Sequence, residues 1–306
     1  MEEVGHVPEG FHTLARTMER LPDLWHTFDD QINIPHKRPS TAWSDCTANR
    51  RYASEWSQTP FDNLFTQAVM SLSHSFDQIR GAAASVPAPR VAYAFYANIR
   101  VAVVAASRTA WVLGEADQRE RLRRHLTLEL EGTESRRAIL ELDGGEDVQS
   151  ARRIEAARRF AEDQGFIVEN GRKIRGRATT VVKSHADQAM SEAKPSETAR
   201  AAFVFRALDL PDGLRSGLYS LLSEVVHDRP LLAGFGSLKF QGQSRAGFST
   251  GTISAELDRV AMLTILGGYA AYTTGISTLA YTGGNSDRFR GEGALILRDW
   301  RGYFSG

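Results

Sequence analysis

A run of 27 residues, 260–286, carries no charged side chain. Because a run of this length can cross a bilayer, it must be buried either in lipid or in the protein interior. Glycines such as Gly267 and Gly275 dilute it, together with many threonines and tyrosines, whereas a spanning helix is dominated by Leu, Ile, Val and Phe. The composition favours a helix in the protein core, and we expect no membrane-spanning segment.

Apolar residues recur at three- and four-residue spacing through most of the chain, which predicts helices with one buried face. The first such helix begins at Phe61 and ends within the glycine- and proline-containing stretch 81–89. Further helices are predicted over 90–113, 117–142, 148–164, 179–193, 197–209, 213–228 and 254–281. Residues 1–60 are weakly periodic and are interpreted as an N-terminal arm packed on a helical bundle domain, 61–306.

Two segments depart from the helical pattern. Residues 166–175 surround Asn170-Gly171, a dipeptide that favours a two-residue turn, so a small β-hairpin insertion is predicted there. Residues 234–251 are rich in glycine, but Phe248 stands where a phosphate-binding loop needs lysine, so they are interpreted as a flexible loop. Helices with one small hairpin predict an all-α bundle.

Charge and cysteine content limit the class of protein. The 306 residues hold 37 basic and 37 acidic side chains, which excludes a protein that retains nucleic acid by bulk charge alone. Cys46 is the single cysteine, so no internal disulfide forms. The acidic first residues lack the apolar stretch of a secretion signal, and a cytoplasmic location is expected.

Two predicted helices that lie far apart in the chain carry polar residues beside apolar ones. Arg100 and Arg108 share one face of the first helix, and Tyr219, Ser223 and His227 recur every four positions on the second. A buried guanidinium needs a carboxylate or an anionic ligand, because an isolated buried charge costs several kcal/mol. The predicted internal site comprises Arg100, Arg108, Tyr219, Ser223, Glu224 and His227. The alternative is a structural network that fixes the register of the helices.

The segment 151–185 is basic, with nine Lys or Arg against four Asp or Glu. Arg172 and Arg175 lie on the predicted hairpin, where they are candidates for contacts with the phosphates of RNA. The alternative is a solvated face that balances the acidic N-terminal arm.

No metal or cofactor is predicted. Glu224 and His227 have the three-residue spacing of a di-iron ligand pair, but such a site needs two pairs on facing helices. No cluster of cysteine and histidine indicates zinc.

The pattern Arg100-x7-Arg108-x2-Trp111-Val112-Leu113, followed later by residues 219–227, resembles a group of uncharacterised actinobacterial helical proteins. That group is similar to HEPN-like bundles, many of which cut RNA in toxin or phage-defence systems. The resemblance implies a HEPN-like fold over about 90–230. HEPN ribonucleases use Arg-x4–6-His, and the matches here are Arg20/His26 and Arg119/His125, a number that chance alone supplies. Around the second match, Arg121, Arg123 and Arg124 are interpreted as a solvated face.

Three functions are consistent with these features. The leading hypothesis is a cytoplasmic RNA-associated HEPN-like protein, of the defence or toxin ribonuclease type. In it, His227, Arg100 and Arg108 are the catalytic candidates, and Tyr219, Ser223, Glu224, Arg172 and Arg175 bind the substrate. The second is a helical protein of specialised metabolism that binds or acts on an anionic metabolite. The third is a structural bundle, for which a second copy of the chain, as a homodimer, is the expected partner.

Overall fold

Helices form most of the described chain, which confirms the predicted all-α class. The computed structural model describes residues 7–32, 38–48, 50, 60–88, 94–142, 148–170, 180–184, 195–207, 217–223, 236–243 and 249–304. The helices are α1 (Glu9–Asp23), α2 (Trp25–Gln31), α3 (Thr41–Ala48), α4 (Pro60–Ser85), α5 (Ala94–Leu113), α6 (Gln118–Leu142), α7 (Val148–Asp163), α8 (Glu197–Val204), α9 (217–223), α10 (Leu257–Thr282) and α11 (Asp287–Arg301). Two antiparallel strand pairs join β1 (Ile167–Asn170) to β2 (Thr180–Lys183) and β3 (Gly236–Gln243) to β4 (Ser249–Ala255).

The charge-free run forms α10, a helix buried along most of its length at the centre of the bundle. Its buried threonine hydroxyls donate to backbone carbonyls; Thr264 bonds Val260 at 2.8 Å, and Thr274 reaches Ala106 of α5 at 3.0 Å. These two hydroxyls are therefore buried with their hydrogen bonds satisfied. Within the residues that the structure describes, no helix is long and apolar enough to cross a membrane.

The main core lies where α10 packs against α4 and α5, with α1, α8 and α11 around them. Glycines on α10 permit this close packing, since a Cβ at Gly275 would lie 2.5 Å from the ring of Phe289 on α11. The helix α11 was not predicted from the sequence. Its buried residues Phe289, Ile296 and Trp300 have helical spacing, so the signal was present.

A second core cluster joins α6 and α7 to the first strand pair. Leu126 and Leu130 of α6, Phe160 of α7 and Val182 of β2 are all fully buried in it. Arg123 of α6 also donates to the carbonyl of Val182 at 2.9 Å, so the strands are fixed to the helices by both packing and hydrogen bonding.

The first strand pair differs from the predicted hairpin. Asn170 pairs with Thr180, so the connection contains nine residues and not the two of an Asn-Gly turn. The segment 180–183 is a strand, and the helix predicted over 179–193 is wrong there. Buried Val181 and Val182 are β-branched residues, which favour a strand over a helix. Residues 171–179, with Arg172 and Arg175, lie outside the described residues.

Two other segments are more regular than the sequence indicated. The glycine-rich stretch interpreted as a flexible loop contains β3 and the first three residues of β4, and the two strands pair from Gly236 with Ala255 to Gln243 with Ser249. The N-terminal arm contains α1, α2 and α3, and Leu14, Met18 and Phe28 belong to the main core.

Candidate functional site: an arginine cluster beside a helical cleft

Arg100 and Tyr219 meet through a carboxylate that the sequence reasoning missed. Glu197, in the first turn of α8, accepts a hydrogen bond of 2.8 Å from the Tyr219 hydroxyl. The same oxygen lies 3.7 Å from a guanidinium nitrogen of Arg100, whose carbon is 5.9 Å from the centre of the Tyr219 ring. Burial raises the pKa of Tyr219, and so does the hydrogen bond to Glu197. The phenol is therefore a neutral donor at pH 7.

Arg200 of α8 is the second residue that was missed. It is 3% exposed, and neither its Nε nor its Nη1 has a hydrogen-bond partner among the described residues. Burial lowers its pKa and the positive charge of Arg108 lowers it further, while Glu131 and Glu197 oppose the shift. An arginine on the same helical face as the buried Ala201 and Val204 was the available signal.

Arg108 occupies a different place from the one predicted. The sequence puts it on a helix that looks buried, but its side chain is exposed at the mouth of a cleft. It forms no ion pair or hydrogen bond with the described residues, and its positive charge acts on the like charge of Arg200. Arg100, Arg108 and Arg200 together form what we call the three-arginine cluster.

The remaining predicted site residues divide into two groups. Ser223 is half-buried at the last described position of α9. Glu224, His227, Arg172 and Arg175 lie outside the described residues.

The cleft lies between α4, α5, α6 and α7 and has a volume of about 740 Å³. Arg108 lines it from α5, Gln67 from α4, Glu129 from α6 and Arg153 from α7. Small-molecule sites commonly occupy about 300–1,000 Å³. The volume is therefore that of a ligand site of ordinary size.

The polar inner wall of the cleft centres on Glu129. Its carboxylate accepts hydrogen bonds from Gln67 at 2.7 Å, from Asn63 at 3.2 Å and from Arg153. Burial alone would raise the pKa of Glu129, but the charges of His125 and Arg153 and these hydrogen bonds hold it below its usual value. The carboxylate is ionised and its acceptor capacity is largely occupied by protein donors.

His125 lies in the same wall and is fully buried. Burial lowers the pKa of its imidazole to about 4; Arg153 acts in the same direction, while Glu129 and the backbone of Pro60 oppose the shift. The ring is neutral at pH 7, and neither of its nitrogens makes a hydrogen bond of good geometry with the described residues. Such a ring can donate to or accept from a bound molecule.

The Arg-x4–6-His pairs do not converge. Arg119 donates to the carbonyls of Gln164 at 2.6 Å and Gly165 at 3.0 Å, away from the buried ring of His125. In the other pair, Arg20 bonds Asp299 at 2.8 Å and His26 is exposed. Neither pair forms the joint phosphate site of a HEPN ribonuclease.

The interpretation of Arg121, Arg123 and Arg124 as a solvated face is wrong. Arg121 and Arg123 are 4% and 1% exposed, and Arg124 is largely buried. Glu120 accepts from both Arg123 and Arg124, whereas Arg121 pairs with the buried carboxylate of Asp45. These arginines join α6 to neighbouring elements.

The fold and the site define an all-α bundle in which one member of the three-arginine cluster, Arg108, lines a cleft between four helices. No family model, no curated protein and no solved structure matches this chain. Among the described residues, no group of three or more His, Cys, Asp or Glu side chains is placed to hold a metal ion.

Proposed function

We propose that the protein binds a small anionic metabolite at the three-arginine cluster, with the adjoining cleft receiving the rest of the molecule. The observation that carries the proposal is Arg200, a buried guanidinium with two nitrogens that no described residue satisfies. A buried charge without hydrogen bonds costs several kcal/mol, so a protein that retains one generally supplies its partner from elsewhere. An anionic ligand is such a partner.

The charge balance around Arg200 supports this. Glu197 forms the one long ion pair of the cluster, with Arg100, and its better hydrogen bond goes to Tyr219. Neither Arg108 nor Arg200 has an ion pair with the described residues; the two guanidinium groups repel one another, while the carboxylates of Glu131 and Glu197 attract Arg200. Carboxylate and phosphate groups are the anions whose geometry a guanidinium matches. Binding such a group between the arginines would relieve their repulsion.

The RNA-associated, HEPN-like function stays a prediction and is our second proposal. Its candidate catalytic residue His227 and the hairpin arginines lie outside the described residues. On α7, Arg153 pairs with Glu129, Arg158 lies 3.3 Å from Glu134, and Arg159 pairs with its neighbour Glu155. Since these acids partly neutralise the basic segment, the described arginines favour a small anion over an extended phosphate backbone.

Thermal unfolding in phosphate tests the first proposal. At a phosphate concentration ten times the dissociation constant, binding stabilises the native state by about 1.4 kcal/mol. We expect phosphate to raise the melting temperature above that in chloride of equal ionic strength. Arg200→Gln should abolish this increment, while Arg159→Gln, which removes an exposed arginine of α7, should retain it. Equal melting temperatures in the two salts, with no phosphate detected by titration calorimetry, would overturn the proposal.

A gel shift with total RNA at low salt tests the second proposal. Retention of RNA that is lost in Arg108→Gln but not in Arg159→Gln would support it. Binding of phosphate without any shift of RNA would overturn the second proposal and support the small-molecule function.

A further inference from the structure

Exposed apolar side chains of α4, α6 and α7 line the cleft or adjoin it in the chain, and we call them the apolar rim. Met70 of α4 is 67% exposed and Ile139 of α6 is 59% exposed, and both line the cleft. Leu140 and Val148, at the adjoining ends of α6 and α7, are also exposed. The other large apolar side chains found exposed in the described chain are Val101 and Leu295. Exposed apolar side chains that lie close together mark a surface on which another molecule binds.

The cleft is long enough to separate this rim from the polar wall. It follows α6 from His125 to Ile139. At 1.5 Å per residue, these positions are about 21 Å apart along the helix axis. Glu131 and Arg136 line the stretch between them, and Arg108 faces it from α5. One molecule in the cleft can contact both Arg108 and the exposed side chains of Met70 and Ile139, because all three line it.

We propose that the ligand is an amphipathic anion, with a charged group at the three-arginine cluster and an unbranched apolar chain lying along the cleft to Met70 and Ile139. This inference rests on the proposed function, because the charged group is the anion proposed above. Charge complementarity favours this occupant. The positive charges of Arg108 and Arg200 favour an anion, and the exposed apolar rim favours an apolar group. A second copy of the chain covering the rim would leave the cluster without its anion.

A chain-length series of monoalkyl phosphates, measured by titration calorimetry, tests the inference. Each methylene that is buried in the cleft should raise the affinity about fourfold, so hexyl phosphate should bind far more tightly than ethyl phosphate. Met70→Gln and Ile139→Gln should reduce the gain per methylene and leave the affinity for ethyl phosphate unchanged. Leu295→Gln, an exposed site on α11 that does not line the cleft, should leave both unchanged.

The outcomes separate the inference from the proposed function. Binding of ethyl and hexyl phosphate with equal affinity would overturn the apolar chain and leave the anion site standing. Binding of hexanol as tight as that of hexyl phosphate would overturn the anion site, and the inference with it. Dimerisation that is lost in Ile139→Gln, with no gain per methylene, would assign the rim to a second copy and overturn the inference.

Discussion

Replacing Arg200 by methionine should stabilise the ligand-free protein. The change removes a buried guanidinium with two unsatisfied nitrogens, each of which costs about 1–3 kcal/mol, and leaves an apolar side chain beside the buried Ala201 and Val204. Exchanges of buried charge for apolar residues often stabilise proteins by about 1–4 kcal/mol. We expect Arg200→Met to increase the free energy of unfolding by about 2 kcal/mol, which raises the melting temperature by roughly 4 °C.

Arg123→Met provides the matched comparison, because Arg123 is equally buried but fully bonded. Its Nε and Nη2 donate to the two carboxylate oxygens of Glu120, each at 2.6 Å, and its Nη1 donates to the carbonyl of Val182 at 2.9 Å. Removing it leaves the carbonyl of Val182 without this donor and Glu120 with only the hydrogen bond from Arg124, so the free energy of unfolding should fall by about 3 kcal/mol. Urea denaturation in chloride buffer measures both variants. A loss of stability in Arg200→Met similar to that in Arg123→Met would refute the reasoning and assign Arg200 a structural role.

Three further variants test other parts of the structure. Asp45→Asn should cost about 3–5 kcal/mol in denaturant unfolding, because it leaves the buried Arg121 without its carboxylate. Burial lowers the pKa of His125 to about 4, so the unfolded chain binds a proton at a higher pH than the native protein does. The free energy of unfolding should therefore fall by about 3 kcal/mol between pH 6.5 and pH 4. His125→Gln should show a smaller fall over the same range. Gly275→Ala should lower the melting temperature, since its Cβ would lie 2.5 Å from Phe289 and overpacking costs about 1–3 kcal/mol.

Each of these changes has a control. Tyr281→Phe removes one hydrogen bond to the same Asp45 and should cost only about 1 kcal/mol. His26→Gln, at an exposed position, should leave the dependence of stability on pH unchanged. Gly291→Ala, where a Cβ meets no atom within 4 Å, should stabilise α11 by about 0.5–1 kcal/mol. Should Gly275→Ala stabilise the protein as well, the close approach of α10 and α11 would be contradicted.

The helices were predictable from the sequence because a helix with one buried face carries apolar residues at three- and four-residue spacing. The sequence predicted α10 as a core helix because glycines, threonines and tyrosines dilute the apolar residues. The structure shows how the threonines are accommodated, since Thr264 bonds a carbonyl of its own helix. The prediction failed for the strand at 180–183, because Asn170-Gly171 favours a tight turn locally whereas burial of Val182 against α6 and α7 decides the pairing. Tertiary packing was the competing effect, and the β-branched Val181 and Val182 were the local signal that pointed to a strand.

The candidate site was predictable only where one helix face shows a polar residue among apolar ones. Arg100 and Tyr219 were found in this way. Glu197 and Arg200 were not found. An acid such as Glu197 is common in the first turn of a capped helix, and Arg200 is an ordinary helix-forming residue, so neither indicated a site. That Arg108 is exposed could not be deduced either, since exposure depends on the cleft formed by four helices.

The buried guanidinium nitrogens of the described residues separate into two groups. On α6, Arg121 and Arg123 employ Nε and both terminal nitrogens in bonds to carboxylates and backbone carbonyls, which is what a buried guanidinium needs in order to hold elements together. At the cluster, Arg100 and Arg200 leave buried nitrogens without a partner in the described chain. Since the same chain satisfies one group so completely, poor packing does not account for the other. The unsatisfied nitrogens of Arg100 and Arg200 are therefore the observation on which the proposed anion site rests.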